Sequence, residues 1–215
     1  MGLLQFKNRK LNKKAREFRH EVYHLTLDIL EINRRIHESA ALCKFKTENF
    51  GKAEKAGHID HPRHSVYFDD LLYHLENFIF RVQAYKDKMC LFINFSLNLG
   101  FEEKDYGLFW RLLKNPSVRE MHLDTELKKL DRGSVSEILK QRKVMSHRSY
   151  YKNESYNPLF IPKNISPKEV GHRRAALLWK RNIIVECNKA NQTTLRILEV
   201  NRKTVLKVDA FLKDK

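Results

Sequence analysis

Arg142 and His147 are the residues of this chain whose types and spacing best suit chemistry on a phosphate. Four residues separate them inside an amphipathic run over 134–151, which reads SVSEILKQRKVMSHRSYY. Arginine binds phosphate oxygens through parallel N–H donors and stays charged at physiological pH. Histidine transfers protons near neutrality. Together they can cleave RNA, with histidine as general acid or base and arginine stabilising the charge that builds up on the phosphate.

The spacing of this pair has a geometric consequence. On an ideal α-helix, Arg142 and His147 project about 140° apart and do not share one tight face. Either His147 lies where the helix ends, or two chains pair about a two-fold axis and place two arginines and two histidines in one cleft. A simpler interpretation also stays open at this point, in which Arg142 is a surface arginine and His147 a capping or core histidine.

The residues around the pair are strongly basic. Residues 132–152 contain six Lys and Arg side chains against a single acid, Glu137. Aromatic side chains beside basic ones suit the stacking of unpaired bases, although they also suit anchoring a loop to the core. The residues that we predict to bind RNA are Lys140, Lys143, Arg148, Tyr150, Tyr151 and Lys152.

An R-x4-H motif at the end of an amphipathic helix, followed by basic and aromatic residues, resembles the signature of HEPN domains. The stretch Glu76–Asn94, ENFIFRVQAYKDKMCLFIN, also resembles the long helix that precedes the motif in some HEPN groups. The resemblance covers roughly residues 65–151, with the C-terminal helix as an open extension, and the N-terminal sixty residues carry none of it. It implies an all-α, usually dimeric domain, and a metal-independent ribonuclease of the toxin, abortive-infection or CRISPR type.

The resemblance also implies roles and partners. His147 would activate the ribose 2′-hydroxyl or protonate the leaving oxygen, and Arg142 would bind the scissile phosphate, in a composite site at a homodimer interface. Such cleavage uses no cofactor and no metal. The implied partners are RNA, a second copy of the chain, and a cognate antitoxin or regulatory protein. Lys143 departs from the Asn, Asp or His that often follows the arginine, which favours an alternative: a non-catalytic HEPN-like module that binds RNA or protein.

Composition bounds the class of protein. The 215 residues carry a formal net charge of +16, which favours a polyanionic partner because basic clusters gain affinity by releasing phosphate counterions. Three widely spaced cysteines without a CxxC pair argue against a disulfide framework or a zinc site. No apolar run reaches the about 18 residues of a membrane span. We therefore expect a cytoplasmic protein that does not contact a membrane.

A second group of possible ligands is the run His58, Asp60, His61 and His64. Imidazole and carboxylate groups bind zinc and other transition metals. The run lies, however, in a stretch with Gly57 and Pro62 and has no further ligand group of convincing spacing. We therefore predict a solvated loop here and no metal site.

Hydrophobic periodicity predicts one HEPN-like domain over 1–215, an all-α antiparallel bundle of long helices. A basic N-terminal helix is expected within 1–45, a core with the R-x4-H motif over 65–151, and a long C-terminal helix over 166–213. Residues 46–64 are expected to form a loop, because glycine and proline recur there.

Local signals predict how individual helices begin and end. Asn98-Leu99-Gly100 is expected to end the long second helix, and Ser117 to cap a short one, with Glu120 at the capping-box position. In the C-terminal helix, residues at multiples of seven predict a bundle or dimer seam in which Asn191 is a buried polar position; an exposed asparagine on a curved helix is the alternative. The apolar members of this series are Leu177, Ile184, Leu198, Val205 and Leu212.

Overall fold

A computed structural model describes residues 13–58, 66–102, 107–146 and 172–214. Seven α-helices and no strand lie in these ranges. Three helices are long: α1 (Lys13–Lys55), α2 (Val66–Ser96) and α7 (His172–Asp214). Four shorter helices connect the last two: α3 (Leu108–Lys114), α4 (Pro116–Glu120), α5 (Leu123–Lys129) and α6 (Gly133–Ser146). The predicted all-α fold with long helices is confirmed.

Helices α1 and α2 form an antiparallel hairpin. Polar contacts join them at three levels, and the α1 number falls as the α2 number rises. Lys46 pairs with Asp70, Arg81 donates to the Ser39 hydroxyl and the Arg35 carbonyl, and Lys88 pairs with Asp28. The apolar faces of both helices are buried in one hydrophobic core, to which α3–α7 also contribute side chains. The hairpin therefore supplies the wall against which the other helices pack.

Tyr85 lies at the centre of this core. Its side chain is fully buried, and its hydroxyl donates a hydrogen bond to the carbonyl oxygen of Ile197 on α7, 3.4 Å away. Burial raises the pKa of Tyr85 well above its usual value, because an ionised phenolate is poorly solvated in an apolar interior. The contact joins the middle of α2 to the middle of α7.

The predicted loop over 46–64 is wrong in its first part, since α1 continues to Lys55 through Gly51. Phe50 and Ala53 explain the extension, because they are only 4% and 6% exposed and belong to the buried face of the helix. A glycine within a helix costs about 0.5–1 kcal/mol, whereas burying a phenylalanine gains about 1.5–3 kcal/mol. The chain leaves the helix at Gly57, whose positive φ of 73° suits glycine.

The predicted end of α2 is confirmed, with Asn98 at the left-handed position (φ 52°). The Asn98 N–H donates to the carbonyl of Phe95 and the Leu99 N–H to that of Asn94, both at 3.0 Å, which is the pattern of a Schellman cap. The buried Asn94 side chain then binds both backbone groups of Phe101, donating at 2.8 Å and accepting at 3.2 Å. The left-handed backbone of Asn98 and the side chain of Asn94 therefore determine where the chain leaves the core.

The predicted cap at Ser117 is wrong. The Oδ1 atom of Asn115 accepts the Val118 N–H at 3.3 Å, and Pro116 is the first residue of α4. Proline fits at the first helical position because its missing N–H would have no helical partner there. Asparagine caps a helix about as well as serine, so the cap lies one residue before the proline.

The residues of the predicted α7 seam lie next to the buried face of the helix and not on it. Asn191 is exposed in the single chain, which favours the exposed alternative over burial within the bundle, while a dimer seam stays a prediction. Leu198, Val205 and Leu212 are only half-buried, and the side chains of Leu177 and Ile184 lie outside the described residues. The buried face consists of Ala190, Thr193, Thr194, Ile197, Val200, Asn201, Thr204 and Val208. Small and polar residues thus replace the leucines that the seven-residue repeat would have buried.

Cys43 and Cys90 are buried, and neither forms a disulfide with a described residue. Burial raises the pKa of Cys90 to about 12, so this side chain remains a neutral thiol, the form that does not act as a nucleophile. No helix in the ranges given above combines the length and apolar character that crossing a bilayer requires.

Phe50→Ala should lower the free energy of unfolding by about 3–5 kcal/mol, because it leaves a cavity in the buried face of α1. Phe45→Ala is the matched control: Phe45 is 53% exposed on the same helix, and we expect a change within about 0.5 kcal/mol. Urea unfolding followed by circular dichroism measures both values. Equally small losses in the two variants would mean that α1 ends before Phe50.

Candidate nucleic-acid interface

The turn that starts α6 is attached to the middle of α2. Lys86 Nζ lies 2.9 Å from Asp131 Oδ1 and 3.9 Å from the centroid of the Phe109 ring. One lysine therefore makes an ion pair with the residue two before α6 and a cation–π contact with α3. Gly133, at φ 60°, then admits the left-handed turn into α6. The helix that carries the predicted site begins at a defined point on the core.

Helix α6 is held between α2 and α7. Val135 and Ile138 are buried, and on the solvent side Lys189 Nζ of α7 lies 3.2 Å from Glu137 Oε2. This combination of an apolar inner face and an ion pair across to α7 positions the first half of the helix. Rotation of α6 about its axis would expose Ile138 or break the Glu137–Lys189 contact.

Arg142 occupies a position that continues the buried face of α6. It follows Ile138 by four residues and Val135 by seven, so the three positions share one side of the helix. Lys140, in contrast, is exposed. Lys143 is also on α6, which ends at Ser146, immediately before His147. Sequence reasoning alone placed Arg142 on no particular face, because the apolar pattern of this short helix is weak.

Most of the predicted site falls outside the described residues. The side chains of Arg142 and Lys143 lie outside them, and so do the whole of His147, Arg148, Tyr150, Tyr151 and Lys152. The pairing of Arg142 with His147 therefore stays a prediction. Among the candidate RNA-binding residues, Lys140 is the one whose side chain the structure describes, and it makes no ion pair with the described residues.

The predicted histidine-rich loop is described only at His58, which is exposed. Asp60, His61 and His64 fall outside the described residues. In the parts of the chain that the structure describes, no three His, Cys, Asp or Glu side chains come together as a metal site would require.

A buried carboxylate on α5 was missed by sequence reasoning. The Glu126 side chain is 5% exposed and lies 2.7 Å from Lys129 Nζ and 3.5 Å from Lys207 Nζ of α7. Lys207 also donates to the carbonyl of His122 at 2.8 Å. Nearby, a hydrogen bond from Lys128 holds the pKa of Asp124 below its usual value. The i,i+3 spacing indicates the pair with Lys129, but no local sequence signal reveals that Glu126 is buried against α7, because Lys207 is 81 residues away.

Comparison with known families identifies the class of protein. The model of the Cthe2314-like HEPN family matches residues 7–170, which include α1–α6 and the R-x4-H motif and end before α7. The chain therefore belongs to the HEPN superfamily, as the sequence resemblance indicated, and the match also includes α1, where the sequence alone showed no resemblance. HEPN domains comprise ribonucleases and RNA-binding modules, and they often form dimers. No curated protein and no solved structure matches the chain significantly.

Glu126→Gln should destabilise the fold by about 2–3 kcal/mol, less than for a fully buried pair because both lysines reach solvent. The neutral amide would leave Lys129 and Lys207 without their buried counter-charge. The matched control is Glu137→Gln, because its carboxylate is 53% exposed and an exposed pair contributes at most about 1 kcal/mol. Thermal unfolding compares the variants, and equal shifts would show that Glu126 has no special role.

Proposed function

We propose that this protein is a metal-independent endoribonuclease that cuts single-stranded RNA or RNA loops. One observation carries the proposal: the HEPN family match spans residues 7–170 and contains an intact R-x4-H motif at Arg142 and His147. The net charge of +16 supports a polyanionic substrate. The biological role we propose is that of a cytoplasmic defence or toxin–antitoxin effector, with a cognate antitoxin or regulatory protein as a further partner.

The chemistry assigns complementary tasks to two copies of the motif. In a homodimer, one His147 removes the proton from the ribose 2′-hydroxyl, and the 2′-oxygen attacks the adjacent phosphorus. The bond to the 5′-oxygen breaks, and the second copy of His147 gives that oxygen a proton. Arg142 stabilises the negative charge on the phosphate. The products are a 2′,3′-cyclic phosphate and a 5′-hydroxyl, so DNA, which lacks the 2′-hydroxyl, is not cut.

The position of α6 supports this assignment of Arg142. The Val135–Ile138 side of the helix packs on the core, and the Glu137–Lys189 ion pair limits rotation. A catalytic arginine works best when its helix is held rigidly, because misplacement by about 1 Å can cost 100-fold in rate. One core shared by α1–α7 supports treating residues 1–215 as a single domain.

The binding surface we propose lies on and after α6. Lys140, Lys143, Arg148 and Lys152 would contact phosphates, and Tyr150 and Tyr151 would stack on unpaired bases. The exposure of Lys140 and its lack of an ion pair with described residues support this use. The exposed Arg132, just before the helix, would extend the positive surface.

Lys143 favours a second candidate function. A lysine directly after the motif arginine departs from the usual HEPN pattern and would suit a module that binds RNA or a partner protein without cutting. Such a module would keep the basic surface and the dimer. The two candidates differ in whether the wild-type protein leaves cyclic-phosphate ends on bound RNA.

Arg142→Ala and His147→Ala should each lower the cleavage rate by about 100- to 10,000-fold, since each removes charge stabilisation or proton transfer. The measurement incubates end-labelled single-stranded RNA and a matched DNA with each protein in EDTA. Arg16→Ala and His37→Ala, both exposed on α1, are the matched controls and should cut like wild type. Unchanged cleavage in both motif variants would defeat the assignment, and binding without cleavage by wild type would favour the second candidate.

Lys140→Ala, Lys143→Ala and Lys152→Ala should each weaken RNA binding and reduce the salt dependence of log K by about 0.7 per lost phosphate contact. Fluorescence anisotropy of a labelled RNA at several salt concentrations measures this in a His147→Ala background, where the RNA stays intact. Lys44→Ala, exposed on α1, is the control. A slope that none of the three variants changes would place the RNA elsewhere.

A further inference from the structure

Helix α7 carries a row of side chains on its outward face that the fold leaves uncovered. Leu195 and Leu206 are 69% and 57% exposed, although both are large and apolar. They are separated by three helical turns and lie within about 20° of each other around the helix axis. Glu199 and Arg202 lie between them on the same side. The outward row therefore reads Leu-x3-Glu-x2-Arg-x3-Leu over 195–206.

This row is self-complementary. When two copies of α7 lie antiparallel, with a two-fold axis between residues 200 and 201, Leu195 of each faces Leu206 of the other. In the same register Glu199 faces Arg202, and the contact occurs twice. We propose that the outward row of α7 binds the same row of a second copy, since an isologous contact requires a surface that matches itself.

The charges of the row are available for this contact. Glu199 Oε1 lies 2.7 Å from Lys203 Nζ and 3.5 Å from Lys129 Nζ, whereas among the described residues Oε2 has one longer ion pair, with Arg196 at 3.8 Å. The hydrogen bond from Lys203 lowers the pKa of Glu199, which keeps the carboxylate ionised. Arg202 is exposed and forms no ion pair with the described residues. A guanidinium from the second copy can therefore approach Oε2.

The contact is separate from a dimer that joins the R-x4-H motifs. Along the α5–α6 segment the residue numbers rise while those of the contacting α7 residues fall, so α7 runs in the opposite direction. Three ion pairs show this: Glu126 with Lys207, Lys129 with Glu199, and Glu137 with Lys189. Lys189 lies about 17 Å along α7 from the two-fold axis. When α6 continues in the same direction past Glu137, Arg142 lies about one and a half turns further away. The two Arg142 positions would then be about 50 Å apart. The α7 row also lies outside the residues that the family model matches.

The size of the surface limits its strength. The outward face over 188–213 measures about 39 Å by 10 Å, or about 400 Å² per copy, half of the about 800 Å² per partner in a standard interface. The contact alone should therefore be weak and dependent on concentration. In a protein that also dimerises through its motifs, two different two-fold contacts would produce a tetramer or a longer assembly.

A directed cross-link tests the register. In a Cys187→Ser background, Leu195→Cys and Leu206→Cys proteins are mixed and oxidised. We expect a disulfide-linked pair from the mixture and at least tenfold less from either protein alone, because each position faces the other in the antiparallel register. Tyr73→Cys, exposed on α2, replaces either partner as the control. Equal cross-linking in the mixture, the single proteins and the control would overturn the proposal.

Charge reversal tests the polar pair independently. Glu199→Arg or Arg202→Glu alone puts like charges opposite each other and should weaken self-association at least tenfold in sedimentation velocity, and the double reversal should restore it. Circular dichroism confirms that each variant is folded, and the double reversal separates loss of the contact from loss of Glu199's contacts within its own chain. Self-association unchanged by the single reversals would overturn the proposal. RNA cleavage is assayed separately, so its failure beside a specific cross-link would count against the ribonuclease alone.

Discussion

Burial of the apolar face of α2 is the constraint on which the other helices depend. This helix packs against α1, α3, α6 and α7, and its fully buried side chains include Phe78, Tyr85 and Phe92. A helix of this length is not stable alone in water, because most helical stability in proteins comes from packing. The α1–α2 hairpin forms the base of the core, and α6 is placed by attachment to it through Lys86 and Asp131.

The proposed chemistry depends on how the fold positions α6, the helix that carries Arg142. Its start is tied to α2, its inner face is buried through Ile138, and its outer edge pairs with α7 through Glu137. These contacts are made with different helices, and together they limit both rotation of α6 about its axis and sliding along it. Arg142 follows Ile138 by four residues, which is about one helical turn. Contacts with α2 and α7 thus hold the first half of α6 in place without any contribution from the proposed catalytic side chains.

Long periodic elements were predictable from sequence, whereas features set by distant partners were not. The α2 pattern through Ile79, Val82 and Met89 predicts a buried helix because its period matches 3.6 residues. The first part of the loop predicted after residue 45 is helical because burial of Phe50 stabilises the helix by more than Gly51 destabilises it, and the sequence alone does not show that Phe50 is buried.

On α7, the seven-residue repeat predicts a seam that includes Leu198 and Val205, whereas the structure buries the neighbouring Ile197 and Thr204. The R-x4-H motif could be found because its two residues are close in sequence; the buried Glu126 could not, because Lys207 is remote.

The inner face of α7 has a consequence for the order in which the protein opens. Buried oxygens of Thr193, Asn201 and Thr204 have no hydrogen-bond partner among the described residues, and each such group costs about 1–3 kcal/mol. Asn33 of α1 and Ser96 of α2 carry the same kind of cost, but α2 also buries Phe78, Tyr85 and Phe92, whereas no described aromatic side chain of α7 is fully buried. The 43-residue helix α7 is therefore attached less strongly than the hairpin. Partial opening should then release α7 first and leave the α1–α2 hairpin intact. A protease that samples the native protein would meet the C-terminal helix before the rest of the fold loosens.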